Sequence, residues 1–155
     1  MTLPTDFLAT LSQVSRLLRT YCDHRFRRLD LTLARGRVML QLAKARSGMT
    51  QTELTALLDV EHPTAVRLFD GLEQANLIER RAVVGDRRAK EIVLTDTGRP
   101  LAERVSIAID DVAVAVVEGI DPAELVIADR VLTQILANIA RLAREAHAGS
   151  KETAP

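Results

Sequence analysis

The sequence predicts a mainly α-helical protein with one small β-hairpin. Aromatic residues are 3% of the chain and Trp is absent, while Ala, Leu, Val and Ile abound. Small aliphatic side chains suit packed helices better than a β-sandwich. Apolar residues recur every three or four positions through most of the 155 residues, the stripe of an amphipathic helix. A single β-branched, alternating stretch between Ile78 and Leu94 breaks that period.

The first helix is expected from about Asp6 to Leu29, with Leu8, Leu11, Val14, Leu18, Cys22 and Phe26 on its apolar stripe. Its other faces carry Arg16, Arg19, Arg25, Arg27 and Arg28. Thr32 offers an N-cap oxygen to a second helix, Leu33 to Arg46, closed by Ser47-Gly48. Gly36 inside it costs about 1 kcal/mol relative to Ala, so its missing side chain serves close packing or leaves a hollow. Thr50-Gln51-Thr52-Glu53 is a capping box that starts a short helix through Leu54, Leu57 and Leu58. Asp59-Val60-Glu61 breaks it, and Pro63 sits in the first turn of the next helix, where its missing N–H is harmless. That helix carries Val66, Phe69 and Leu72 to Asn76, a residue that tolerates the left-handed conformation. Two short helices joined by a tight turn make a helix-turn-helix.

Ile78 to Val84 and Ala89 to Leu94 then flank Gly85-Asp86-Arg87-Arg88, which reads as a hairpin. Thr95 can cap a fifth helix carrying Leu101, Val105, Ile109, Val112 and Val116, with Pro100 bending or delaying its start and Gly119 ending it. Asp121-Pro122-Ala123-Glu124 is a second capping box. The last helix runs to about Ala146, and Gly149 to Pro155 reads as a frayed tail.

Charge and composition restrict the function classes. Lys plus Arg is 21 and Asp plus Glu is 21, which excludes a polycation that holds nucleic acid by bulk charge. The zero total nevertheless hides segregation. Arg80, Arg81, Arg87, Arg88 and Lys90 against Asp86 leave a local excess of four positive charges on the hairpin. Glu103, Asp110, Asp111, Glu118 and Asp121 compensate further along. No run reaches the ~18–20 apolar residues of a membrane span, and the N-terminus lacks a signal peptide. A cytoplasmic and bacterial protein is expected. Cys22 is alone, so no disulfide forms within the chain, and His24, His62 and His147 show no metal-ligand spacing. No nucleophile–base pair, carboxylate pair or glycine-rich phosphate loop appears, so neither an enzyme nor a cofactor is expected.

A helix-turn-helix followed at once by a basic hairpin is a winged helix-turn-helix, whose second helix can lie in the DNA major groove. The outward face of that helix presents His62, Pro63, Thr64 and Arg67. Arg67 suits guanine or a phosphate, and Thr64 a thymine methyl or a phosphate. The hairpin tip reaches an adjacent minor groove, with Arg87, beside Arg88, as the inserted cation. Gly85 and Asp86 shape and stiffen that tip.

The segments DHRFRRLDLT, VEHPTAVRLFDGLEQANLIERR and GDRRAKEIVLTDTG resemble the MarR family of transcriptional regulators, and most of all its SlyA-like branch. The resemblance covers nearly the whole chain and is most specific in the DRRAK wing with its following LT and Gly. It implies one MarR-type domain over 1–155: dimerisation helices at 1–31 and 121–148, a winged helix-turn-helix at 32–95 and a connecting helix at 96–119. It further implies a homodimer on a pseudo-palindromic double-stranded operator, with Pro63, Thr64 and Arg67 on the recognition helix and Arg87 in the minor groove. Such proteins repress, or activate by displacing a silencing protein, and many answer to small aromatic acids such as salicylate. Arg16 and Arg19 match the cations offered to such an acid. Ala34 replaces a threonine and Gly36 a bulky aromatic of the SlyA-like pattern, which implies a wider, less polar pocket. The urate-responsive branch relies on a tryptophan that this chain lacks.

Two other readings stand beside this one. Cys22 is a redox sensor if exposed in an electropositive site, although it falls on the apolar stripe and the redox branch places its cysteine earlier. Alternatively, the chain is a helical ligand-binding or adaptor protein whose hairpin never meets DNA, a reading that the zero net charge favours but the basic hairpin does not.

Overall fold

The structure, a computed structural model, describes residues 2–45, 47–58, 60–83 and 86–151, and for 83, 86–89 and 147–151 the backbone only. In chain order the elements are α1 (Leu3–Arg27), α2 (Leu33–Ala45), β1 (Met49–Thr50), α3 (Gln51–Leu58), α4 (His62–Gln74), β2 (Ile78–Val83), β3 (Asp86–Leu94), α5 (Gly98–Val116) and α6 (Pro122–Lys151). The protein is mainly α-helical with a small antiparallel sheet, the winged helix-turn-helix architecture. The contacts divide it into two units, 1–114 and 115–155.

Helix boundaries follow local chemistry. α1 begins three residues before the expected Asp6, because Pro4 needs no N–H partner in a first turn and Asp6 favours the positive helix end. It also stops before Leu29. Asp30 turns left-handed at φ 56°, and the amides of Leu31 and Asp30 return to the carbonyls of Phe26 and Arg27, a Schellman closure. α4 closes in the same way: Asn76 also has φ 56°, and Leu77 and Asn76 bond back to Leu72 and Glu73. α2 is capped twice. Thr32 Oγ1 accepts the Arg35 amide at 3.3 Å, and Asp23 of α1 accepts the Leu33 amide at 3.0 Å. Asp23 also pairs with Arg27. The Leu33 amide first, and then the Arg27 charge, hold the Asp23 carboxyl below its ordinary range against some desolvation.

The expected capping box at Thr50 is present in full. Glu53 N–H donates to Thr50 Oγ1 at 3.2 Å, and the Glu53 carboxylate accepts from the Thr50 amide and hydroxyl. These bonds hold the Glu53 carboxyl below its usual range. At α6 only half of the expected box is seen, the Ala123 amide on Asp121 Oδ1 at 2.8 Å. Pro100 lies in the first turn of α5 and delays nothing. α6 runs on to Lys151, past the expected end near Ala146, so Gly149 and Ser150 are helical rather than frayed.

The sheet order is β1-β3-β2. The two-residue β1 was not expected; it pairs Met49 with Ile92 and Thr50 with Glu91. In the hairpin Ile78 faces Leu94 and Arg81 faces Glu91, and the register breaks between Ala82 and Val83. β3 begins at Asp86, so Asp86, Arg87 and Arg88 of the expected turn are strand residues, while Val84 and Gly85 lie outside the described residues.

The main core joins α2, α3, α4, the sheet and α5 through Met39, Leu42, Leu54, Leu58, Phe69, Leu72, Ile78, Ile92 and Ala102. A smaller cluster of Phe26, Leu31 and Val105 ties α1 to α5, beside an Arg25–Asp111 ion pair of 3.4 Å. Gly36 belongs to this packing. A Cβ there would lie 2.5 Å from two ring carbons of Phe26. Of the two expectations for Gly36, close packing is the one observed, because the Phe26 ring already takes the space a wider pocket would need.

Candidate nucleic-acid interface

α3 and α4 form the expected helix-turn-helix, and packing decides which face of α4 points out. Ala65, Phe69 and Leu72 are buried, with Val66 half-buried, so the inward stripe is centred one residue away from the expected Val66. His62, Pro63, Thr64 and Arg67 are all exposed. Pro63 occupies the first turn of α4, as its missing N–H favours. Three side chains able to hydrogen-bond a base or phosphate, His62, Thr64 and Arg67, are therefore exposed with Pro63 on one helix.

The hairpin is fastened to α4 by Arg80, a role the sequence reading missed. The Arg80 guanidinium bonds Asp70 at 2.7 Å and also pairs with Glu73, whose carboxylate accepts the Arg80 amide at 3.2 Å. Its side chain is only 20% exposed. Burial opposes the charge, but the Asp70 hydrogen bond and the charges of Glu73 and Asp70 outweigh it and hold Arg80 more firmly protonated. Arg81 pairs with Glu79. Two of the five cations counted on the hairpin are thus neutralised at its stem, and the local excess of four overstates the charge available to a partner. The acid-rich segment Asp70 to Glu79 was the signal in the sequence.

A second fastening joins the hairpin base to α5. Thr95 donates its hydroxyl to the Asn76 carbonyl at 2.7 Å and accepts the Gly98 amide at 2.9 Å. Its own amide bonds the Leu77 carbonyl. Gly98 packs directly on Leu77, and a Cβ would overlap that carbonyl oxygen and lie 2.9 Å from its carbon. The Thr-x-x-Gly spacing singled out in the sequence is therefore a structural joint.

At the hairpin tip Gly85 lies outside the described residues, as do the side chains of Asp86, Arg87 and Arg88; the backbone of those three opens β3. Arg16 and Arg19 are exposed along α1 and line a shallow hollow of about 620 Å³ with Leu11, Ser12, Ser15 and Thr20. Ala34 is exposed and Gly36 is buried. Cys22 is 7% exposed, and burial pushes its thiol pKa up, the opposite of an activated thiolate. Among the described residues no group of three His, Cys, Asp or Glu is placed to hold a metal ion, and no helix is long and apolar enough to cross a membrane.

The fold has known counterparts. A MarR family model matches residues 29–89. The chain is similar to the crystal structure of transcriptional regulator PA3341, with 42% identity over 87% of this chain and 98% of the other and a TM-score of 0.82. It is similar to MepR of S. aureus in a DNA complex, with 25% identity over 86% and 97% of the two chains and a TM-score of 0.76. The transcriptional regulator SlyA shares the fold, with 20% identity over 88% and 95% and a TM-score of 0.78. The chain belongs to the MarR family of transcriptional regulators.

Proposed function

We propose that this chain is a sequence-specific double-stranded DNA-binding regulator of the SlyA-like type, working as a homodimer in the bacterial cytoplasm. The observation that carries this reading is the exposed row His62, Pro63, Thr64 and Arg67 on a helix whose other face is locked into the core. Arg80 fixes the wing to that helix, so the Arg87 and Arg88 segment travels with it. In this reading α4 enters the major groove, Arg87 reaches the minor groove with Arg88 on the backbone, and Gly85 and Asp86 shape the tip. MepR of S. aureus, 25% identical, is known in a complex with DNA, which supports DNA binding by this chain.

Exposed apolar side chains support self-association. Leu8, Val14, Leu17, Leu18 and Tyr21 are exposed on α1, and Val126, Ile127, Leu136, Ile139 and Leu142 on α6. Apolar rows of this extent are covered in stable soluble proteins, and isologous pairing is the common way to cover them. Residues 1–31 and 121–148 then serve as dimerisation helices, with 32–95 as the winged domain and 96–119 as the connection. The dimer addresses two half-sites of a pseudo-palindrome about 34–36 Å apart. It represses or displaces a silencing protein, and a small aromatic acid held by Arg16 and Arg19 modulates it; Gly36, filled by the Phe26 ring, and Ala34 do not line that hollow. The buried Cys22 speaks against a redox switch. Footprinting on the DNA upstream of the gene tests this reading: two protected half-sites one helical turn apart are expected, and the absence of protection refutes it.

A further inference from the structure

Arg35 of α2 lays its guanidinium on α4. A Cβ at Gly71 would lie 2.8 Å from one terminal nitrogen of that group, with the next atoms of the group at 3.7 and 4.0 Å. Glycine is unfavourable inside a helix, but here the bare backbone leaves the place that the guanidinium occupies. Arg35 is half-buried. Its amide is used by Thr32, while its guanidinium has no ion pair or hydrogen-bond partner among the described residues. Both carboxylates of α4, Asp70 and Glu73, are already taken by Arg80. A long side chain that only buries its stem carries its charged head out into water. Here the head rests on the backbone of a second helix with its donors unused, so the anion that completes it comes from outside the chain.

The position indicates which anion. Thr64 and Arg67 precede Gly71 by seven and four residues, the spacing that puts side chains on one side of a helix, and both are exposed. At ~1.5 Å per residue the row from Thr64 through Arg67 to Gly71 spans about 10 Å. We propose that Arg35 is a DNA phosphate contact, supplied by α2 through the gap that Gly71 leaves in the row of α4. The proposal rests on the DNA-binding reading and adds to that surface a residue from outside the helix-turn-helix. A planar guanidinium suits two phosphate oxygens at once. Gly71 lies in the C-terminal half of α4, whereas recognition helices read base edges from their N-terminal turns. Arg35 therefore holds the backbone and sets the register of α4 without reading sequence.

Fluorescence anisotropy of the full chain on the footprinted duplex, across a salt series, tests the contact. Arg35→Gln should lose roughly an order of magnitude in affinity per bound chain near 0.1 M salt. It should also lower the slope of log K against log salt by about one per chain, with preference among operator variants unchanged. Arg35→Lys should recover most of the slope, because charge releases the counterions. Arg37→Gln is the control: Arg37 is half-buried on the same helix, about 200° around from Arg35, and should bind as wild type. Gly71→Gln fills the place of the guanidinium and should reproduce the loss, adding little to Arg35→Gln when the two are combined. It carries the same prediction should Arg35→Gln fold poorly. Lost affinity at an unchanged slope marks a merely structural arginine and overturns the proposal. An altered base preference in Arg35→Gln, or an equal slope loss in Arg37→Gln, overturns it too. Wild-type binding that Arg35→Gln leaves intact refutes this contact alone. Absence of salt-dependent binding by the wild type refutes the regulator reading and this contact with it.

Discussion

Replacing Arg80 with Met removes the clasp between the hairpin and α4 while keeping most of the apolar stem. Two charge-assisted contacts disappear, to Asp70 and Glu73. Those carboxylates are 48% and 39% exposed, so water takes over much of what the guanidinium supplied. The cost therefore falls at the low end for charged hydrogen bonds, about 2 kcal/mol in all. For a chain of this length that corresponds to a melting-temperature drop of roughly 4–8 °C at fixed protein concentration. Arg81→Met is the control, because its pair with Glu79 is 55% exposed on the arginine side and is worth less than about 1 kcal/mol. DNA binding distinguishes a clasp from a contact. Arg80→Met should lower affinity while leaving the slope of log K against log salt unchanged. A residue touching phosphate in both subunits would lower that slope by about two. A melting temperature equal to wild type, or a slope reduced as for a phosphate contact, refutes the clasp.

Three further outcomes follow from the backbone and the caps. Gly98→Ala should destabilise by about 3 kcal/mol or more in urea denaturation, because its Cβ would meet the Leu77 carbonyl. Gly119→Ala, with φ 79° and open space around it, should lose only about 1 kcal/mol. Acid should weaken the fold through Asp23 and Glu53. Both carboxyls are held below their ordinary range when folded, so their stabilisation is complete above the unfolded pKa and is lost as pH falls through the folded one. The urea midpoint should drop between roughly pH 5 and pH 3, and the drop should be smaller in Asp23→Asn.

Much of this fold was legible because local chemistry determines it. The Thr50 capping box, Pro63 in a first turn and Asn76 at a helix end each carry their structural reason within a few residues. The outward face of α4 was legible too, since period 3.6 sorts the core stripe from the exposed row. What the sequence concealed depends on partners distant along the chain. Arg80 reads as one more cation until Asp70 and Glu73 are seen beside it. Gly36 reads as close packing or a hollow until the Phe26 ring lies on it, and the contact of Gly98 with Leu77 has no sign in the residues around it. The ends of α1 lie outside what its apolar stripe can mark: Pro4 fits a first turn, and Asp30 takes the left-handed conformation that closes the helix.

The account rests most on Arg67 and Arg87 meeting DNA, and fluorescence anisotropy on the footprinted duplex across a salt series tests this directly. Wild type should bind with a steep salt dependence. Arg87→Ala should lose affinity and lower the slope by about two for a dimer with two wings, and Arg67→Ala should lose affinity and relax sequence preference. Binding by both variants at wild-type affinity and slope would contradict the account.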